Sequence, residues 1–577
     1  MGCAIMVRIG ICVLAVFMSM MGVTVAAAEP LDVLIRNGRI VDGTGNPWFY
    51  GDVGIRDGRI VAVGDLAGAE AARVIDAQRH IVAPGFIDVH THADDGLYDE
   101  PRAENFIRNG VTSIVTGNCG GSVRDVARYF ARLERDGVAV NVATLYGHNT
   151  ILRALKGDVR GDLTPEQLES GRQMMAQAMR DGAVGMSTGL IYTPGRWSPT
   201  EEIIELQKVA AQFGGVYVSH MRDEGTGTMR AVEEALRIGR ESGSRVQISH
   251  LKMPRTAIGA VGGAEVVIER IREARRQGQE VWADQYPYTA SSTGLNTLIP
   301  SWAREQGNER MREILTDPEQ LPRVLEDMRQ SQEVRNGRTS MDFAVIASSS
   351  AFPYLAGMNL HRAAQVRKLQ RERGADFDWM SVPVGELPEV TMEDQYRTAI
   401  EIVAGGSAGA IYHTMPEEEV EKFMRAEFVA VASDSGVRSF GVGHPHPRGY
   451  GTNARVLGRY VRERGLLTLE DAVRKMTSLP ALQFRLMDRG TLRAGHWADV
   501  VIFDEDAVLD AATFEDPHHY SVGFRWVLVN GVPVIAEGEL TEALPGRALR
   551  GPGTEVAHSH GPTRTDTEAE SAIGAGE

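Results

Sequence analysis

Apolar residues between positions 31 and 84 come in short β-branched runs cut by turn residues: "DVLIRNGRIVDG", "GDVGIRDGRIVAVG" and "ARVIDAQRHIVAPG". This spacing predicts strands, with hairpins at Asn37-Gly38 and Asp57-Gly58. "GTLRAGHWADVVIFD" (490–504) and "RWVLVNGVPVIAEG" (525–538) repeat the style near the other end, with Asn530-Gly531 as a further hairpin. Residues 31–84 and 489–550 are therefore expected to form one composite β-domain, a sandwich built from both chain ends.

The middle alternates differently. Apolar strand-like runs end on polar residues: "GFIDVHTH", "VTSIVTGNC", "VNVATLYGH", "AVGMSTGL", "VYVSHMRDE", "RVQISHLK", "EVWADQYPY" and "EFVAVASDS". Helical stretches fall between them. Thr164-Pro165 opens one, with Gly182 as its stop, and Ser198-Pro199-Thr200-Glu201 reads as a capping box opening another. Eight strands with helical crossovers over 85–488 predict a (β/α)8 TIM barrel, whose active residues sit at the C-terminal strand ends. A doubly wound open sheet uses the same alternation and is the competing fold. One interval is out of scale: "DQYPY" and "ASDS" stand far apart, so residues 296–420 are expected to be an inserted subdomain or lid between strands 7 and 8.

Arg8, the apolar run "IGICVLAVFMSMMGVTVA" and the small residues Ala26–Ala28 read as a signal peptide over 1–28, cleaved near Ala28. The competing reading is an uncleaved N-terminal anchor. Cleavage makes the protein exported, periplasmic or secreted, with no stable membrane insertion. It also removes Cys3 and Cys12 and leaves Cys119 as the only thiol. The net charge of −16 comes with no basic block, so nucleic acid is not an expected partner. Residues 551–577, rich in Gly, Pro, Thr and acidic residues, read as a disordered tail.

The polar strand ends carry the candidate chemistry. His90 and His92 in "DVHTH" are two apart, so on a strand both imidazoles point to one side. Cys119 ends strand 2, His220 strand 5 and His250 strand 6. One sulfur and two nitrogens with an open fourth position make a catalytic zinc set, and a metal explains a lone thiol in an oxidising compartment. Asp434 ends strand 8, where a carboxylate can shuttle a proton. Taken singly, Cys119 could be a small buried hydrophobe, the histidines hydrogen-bonded core residues and Asp434 a cap. His148, ending strand 3, either orients the site or is structural.

With these residues placed, the chain from about 31 to 550 resembles the amidohydrolase superfamily, and within it the D-aminoacylase (N-acyl-D-amino-acid deacylase) branch. "PGFIDVHTH" and "LRAGHWADVVIFD" match at superfamily level. "VTSIVTGNCG", "GMSTGLIYTPG", "SHMRDEG", "ISHLK", "DQYPYTASST" and "HPHPRGYGT" match the branch, which has a cysteine in place of the superfamily's bridging carboxylated lysine. The resemblance implies that Cys119, His220 and His250 hold a tight Zn2+. It implies a second, weaker site formed by His90 and His92 that shares Cys119, and Asp434 as general acid/base. Lys252, Tyr192 and Arg448 would hold the carboxylate of a small-molecule N-acyl amino acid, with Tyr286 and Ser292 assisting. The implied reaction is zinc-dependent hydrolysis of the amide of N-acyl-D-amino acids, with metal-bound hydroxide as nucleophile. The alternatives are a cyclic amide, a dipeptide or an N-acyl-L-amino acid as substrate, or a non-catalytic envelope protein that binds acyl-peptides. Three features depart from the branch pattern: Ser435 where Gly is usual, a longer loop from Asp434 to Arg448, and extra length around 374–395.

Overall fold

The computed structural model describes residues 29–374 and 377–554. The signal-peptide segment 1–28 and most of the expected tail, 555–577, lie outside the described residues.

The two chain ends do pair. Ile81–Pro84 lies antiparallel to Val500–Phe503 in the register Val82↔Ile502, within one nine-stranded sheet that branches at Leu31–Ile40. The two-residue period of strands decides what this sheet joins. Val82, Val500, Ile502 and Leu528 face an inner cluster with Ile35, Ile40, Val53 and Ile60. The alternate residues Ile81, Ala83, Val501, Phe503, Val527 and Val529 turn to the main core. The hairpins at Asp57-Gly58 and Asn530-Gly531 form, with Arg56↔Arg59 and Val529↔Val532 as closing pairs. The expected hairpin at Asn37-Gly38 does not. The strand continues through it, and Asn37 (φ 58°) sits where the pairing register shifts, a bulge rather than a turn.

The middle of the chain supplies parallel strands. Phe86–Asp88, Val111–Thr116 and Asn141–Thr144 form one sheet. Tyr146–Gly147, Gly185–Gly189, Val216–His220, Val246–Ile248, Val281–Gln285 and Val429–Val431 form a second. Asn141–Thr144 and Tyr146–Gly147 are interrupted only at Leu145, and a parallel bridge between Thr91 and Ser435 connects the last strand to the first. The eight segments thus follow one another in a ring of pairings. Thr164 and Gln167 make the capping box of Pro165–Arg180. The second expected box is absent: Thr200–Gln212 starts after Pro199 without a side-chain cap, and Thr200 Oγ1 donates instead to Glu234.

Between Val281–Gln285 and Val429–Val431 the chain builds a small antiparallel sheet of Ala290–Gly294, Ala344–Ser349 and Ala408–His413. It has its own hydrophobic cluster, including Leu295, Val324, Leu360 and Tyr396. This unit starts at 290 rather than the expected 296, because Ser291 and Ser292 already pair with Tyr412 and Ile411. It ends near 413 rather than 420, since Glu417–Arg425 leads directly into the eighth parallel strand. The chain also stays packed past 551, where Gly551 donates to the Gly182 carbonyl at 2.8 Å. A side chain at Gly551 would strike the Ala183 carbonyl, so this contact needs glycine. Among the described residues no helix is long and apolar enough to cross a membrane.

A buried polar knot ties the β-domain to the ring. Asp499 pairs with Arg489 and accepts from the Asn530 amide at 2.8 Å and the Asn141 side chain at 3.3 Å. Asn530 Nδ2 in turn donates to Asn141 Oδ1 at 2.8 Å. Removing one partner of a buried ion pair leaves the other charge without compensation, at about 3–5 kcal/mol. Arg489→Met should lower the thermal unfolding midpoint by several degrees while metal stoichiometry at 25 °C stays unchanged, as read by scanning calorimetry and metal analysis.

Candidate metal centre

Cys119 lies in the turn after Val111–Thr116, and the turn is shaped by backbone contacts. Gly117 (φ 75°), Cys119 (φ 53°) and Gly120 (φ 78°) are all left-handed. The Asn118 side-chain amide reaches the Val89, Thr91 and Val115 carbonyls at 3.3, 3.4 and 3.0 Å, clamping strand ends 1 and 2 together. Ser187 Oγ donates to the Gly117 carbonyl at 2.5 Å and accepts from the Gly120 amide at 3.1 Å. At Gly189 an added Cβ would lie 2.0 Å from the Cys119 carbonyl, so only glycine lets the fourth strand approach this closely. His250 (φ 36°) and Asp434 (φ 53°) are left-handed too. For residues with side chains that conformation costs about 1 kcal/mol or more each, and it persists where surrounding contacts enforce it.

The consequence is a convergence of electron-pair donors. Cys119 Sγ lies 3.3 Å from His90 Nε2, 3.4 Å from His220 Nδ1 and 3.7 Å from His250 Nε2. His250 Nε2 and His220 Nδ1 are themselves 2.8 Å apart. The opposite ring nitrogens face carboxylates. Asp284 Oδ1 sits 3.1 Å from His90 Nδ1, and Glu224 sits 3.0 Å from His250 Nδ1 and 3.4 Å from His220 Nε2. At His90 and His250 a carboxylate so placed takes the N–H and turns the ring's lone pair inward, the usual bracing of metal-ligating histidine, while His220 Nε2 has no hydrogen-bond partner among the described residues. Lone pairs and a thiolate this close repel unless a cation stands between them, so the donor set fits a soft-to-borderline metal such as zinc.

The electrostatics favour the thiolate and a neutral His220, whereas against burial Asp284 and Cys119 raise the His90 pKa and Glu224 and Cys119 that of His250. Burial disfavours the Cys119 thiolate, but the neighbouring His90 and His220 outweigh it and hold the thiol well below its ordinary range. Burial keeps His220 neutral, with its pKa lowered. Desolvation disfavours the Glu224 carboxylate, yet Lys252 and the two imidazoles hold its carboxyl well below the usual carboxylate range.

His90, His92 and Asp434 make a neighbouring group: Asp434 Oδ1 lies 3.1 Å from His92 Nε2 and 3.5 Å from His90 Nε2. The seam between the last and first parallel strands fixes this carboxylate, since the Asp434 amide donates to the His90 carbonyl at 2.9 Å and the His92 amide to the Ser435 carbonyl at 2.8 Å. Burial raises the Asp434 pKa, but Arg448, His90 and His92 reverse the effect and keep it ionised well below its ordinary value.

A cavity of about 400 Å³ opens over these groups, and Lys252, Arg448, Tyr192, Tyr286 and Ser292 all line it. Their charges are partly engaged within the protein. Lys252 Nζ is 2.6 Å from Glu224 and 2.8 Å from His250 Nδ1. Arg448 Nη1 is 2.9 Å from Asp434, and its Nη2 donates to the Ser292 carbonyl at 3.3 Å. Ser292 therefore contributes its backbone to Arg448. The buried Tyr286 hydroxyl and Arg448 Nε have no hydrogen-bond partner among the described residues. His148 is not part of this site: it is buried at the start of His148–Lys156 and faces Glu202 at 3.6 Å.

Two carboxylates of the site were not among the residues expected from sequence. Asp284 stands at a polar strand end in "DQYPY", a signal the chain did contain. Glu224 lies in a loop four residues past His220, and only the fold carries it behind two rings at once.

Residues 419–535 match the amidohydrolase family. The chain is 37% identical over 544 residues to an N-acyl-D-glutamate deacylase of Alcaligenes xylosoxydans xylosoxydans, covering 90% of this chain and 97% of that one. The solved N-acyl-D-glutamate deacylase of Bordetella bronchiseptica, complexed with zinc and a phosphonate mimic of the tetrahedral intermediate, matches with a TM-score of 0.74 at 35% identity, over 90% of this chain and 100% of that one. A D-aminoacylase, for which one-metal activation and second-metal attenuation of a binuclear centre are described, matches with a TM-score of 0.73 at 33% identity over the same shares.

Cys119→Ala should abolish zinc binding, while Glu224→Gln should keep the fold and weaken zinc about 10–100-fold. Competition titration with a chromogenic chelator, alongside circular dichroism, checks both; wild-type zinc affinity in Cys119→Ala would refute the assignment.

Proposed function

The chain belongs to the amidohydrolase family, in its D-aminoacylase branch, and from that premise we propose that it hydrolyses N-acyl-D-amino acids to a carboxylate and a free D-amino acid. The ring of eight parallel segments is read as a (β/α)8 barrel whose active face lies at the C-terminal strand ends, and residues 290–413 as the subdomain beside it. The observation that carries the proposal is one cavity lined by an ionised Asp434, the imidazoles beside Cys119, and donors suited to a carboxylate.

Cys119, His220 and His250 would hold the tight zinc, and His90 and His92 a weaker one sharing Cys119. The description of one-metal activation and second-metal attenuation in a related D-aminoacylase supports that division. Zinc bound there would supply a Lewis acid for the amide carbonyl and lower the pKa of a bound water towards neutrality.

The chain's own residues divide the rest of the work. Asp434 accepts the proton of the attacking water and returns it to the leaving nitrogen, and its contacts to His92 and Arg448 aim the carboxylate. The α-carboxylate of the substrate is met by Arg448 Nε, the Tyr286 hydroxyl and the N–H groups that Lys252 retains after serving Glu224. Burial keeps Tyr192 and Tyr286 protonated, with pKa values well above the ordinary phenol range, so each donates. Tyr192, whose ring centre is 4.9 Å from that of His220, borders the acyl carbonyl.

The leader-like composition of 1–28 supports an exported, periplasmic or secreted protein. Mass spectrometry of the mature chain should find Glu29 as the first residue; an N-terminus retaining 1–28 overturns that part.

Asp434→Asn should keep zinc and fold but lower kcat by about 10²–10⁴-fold. Paired D and L N-acetyl-amino acids assayed with added zinc should show turnover of the D series. Equal rates on both enantiomers, or full activity in the variant, would refute the proposal.

A further inference from the structure

Three cations line the cavity, and they are not equivalent. Lys252 is paired with Glu224 and Arg448 with Asp434. Arg438, in the loop between Asp434 and Arg448, has no carboxylate within ion-pair distance among the described residues. Its Nε donates to Ser435 Oγ at 3.1 Å, and its backbone amide donates to Asn105 Oδ1 at 3.2 Å. The Ser435 hydroxyl is thus the acceptor that holds this guanidinium. Asn105 also donates to the Gly449 carbonyl at 2.9 Å, fixing the loop against the helix that carries Arg448.

Burial, and next the nearby charge of Arg448, hold the Arg438 pKa below its ordinary value. A second cation placed beside the first, offset in part by the charge of Asp434 but with no carboxylate of its own in ion-pair contact, is costly without a further anion against it. The α-carboxylate occupies the donors of Arg448 and Tyr286. A further anion is needed for Arg438, and the fork it presents suits a carboxylate.

We infer that Arg438 is a specificity-determining residue that binds the side-chain carboxylate of an acidic N-acyl-D-amino acid, aspartate or glutamate, while Arg448 holds the α-carboxylate. The inference rests on the deacylase reading of the same site. The two carboxylates of such a substrate are separated by two or three carbons, a span that two neighbouring guanidinium groups can serve together. Ser435 is then a positioning residue, acting through Arg438.

The test compares N-acetyl-D-glutamate and N-acetyl-D-aspartate with their neutral isosteres, N-acetyl-D-glutamine and N-acetyl-D-asparagine, on the zinc-loaded full chain. The wild type should favour at least one acid over its amide by about tenfold or more in kcat/KM, as loss of a charge-assisted hydrogen bond requires. Arg438→Gln should collapse that ratio towards one, Arg438→Lys should restore part of it, and Ser435→Gly should lower it to an intermediate value. No acid preference in the wild type, or an equal fall for acid and amide in Arg438→Gln, overturns the inference. Calorimetric binding of the same four compounds to zinc-loaded Asp434→Asn separates the two levels. Absence of turnover on every compound with a retained, Arg438-dependent binding preference for the acid would sink the deacylase reading and uphold the role of Arg438. Loss of that binding preference with turnover intact would do the reverse.

Discussion

Four electron-pair donors of this protein point at one small volume, and their mutual repulsion is the constraint around which the rest is arranged. Three imidazole nitrogens stand within 3.7 Å of the Cys119 sulfur, close enough for their lone pairs to repel. A carboxylate behind a ring fixes its tautomer, and Asp284 stands so behind His90 and Glu224 behind His250. Those carboxylates need counter-groups in turn, and Lys252 on Glu224 and Gln247 on Asp284 supply them. The shell of polar side chains around the centre follows from the first four atoms.

The backbone carries the same constraint. Cys119, His250 and Asp434 all occupy left-handed conformations that side chains disfavour. Their turns hold because neighbouring strand ends bond to them: Asn118 across strands 1 and 2, Ser187 beneath Gly117, and the Asp434 amide on the His90 carbonyl. Strain at the site is thus balanced by ordinary hydrogen bonds in the frame. The composite β-domain contributes by locking the opposite end of the ring through the Arg489–Asp499 knot.

Much of this is legible in the chain. Period-two alternation locates the strands of both ends, and polar residues at the ends of apolar runs mark Cys119, His220, His250 and Asp434 as candidates. Turn signals are less dependable. Asp57-Gly58 and Asn530-Gly531 close hairpins, whereas Asn37-Gly38 becomes a bulge because the strand has partners on both edges to continue with. Ser198 loses its expected capping role, and Glu234 from the next helix takes the Thr200 hydroxyl. In both cases a tertiary partner overrides a local preference.

The sequence by itself determined the element order, the pairing of the chain ends and the residue types at the metal, since hydrophobic period and donor chemistry are local properties. Only the tertiary structure decided which carboxylates brace which rings, that Lys252 and Arg448 are already engaged by Glu224 and Asp434, and that the Arg438 guanidinium is held by Ser435 without a carboxylate. Most of those contacts join residues far apart in the chain. Their distances depend on how eight strand ends meet around a ring, which no short stretch encodes.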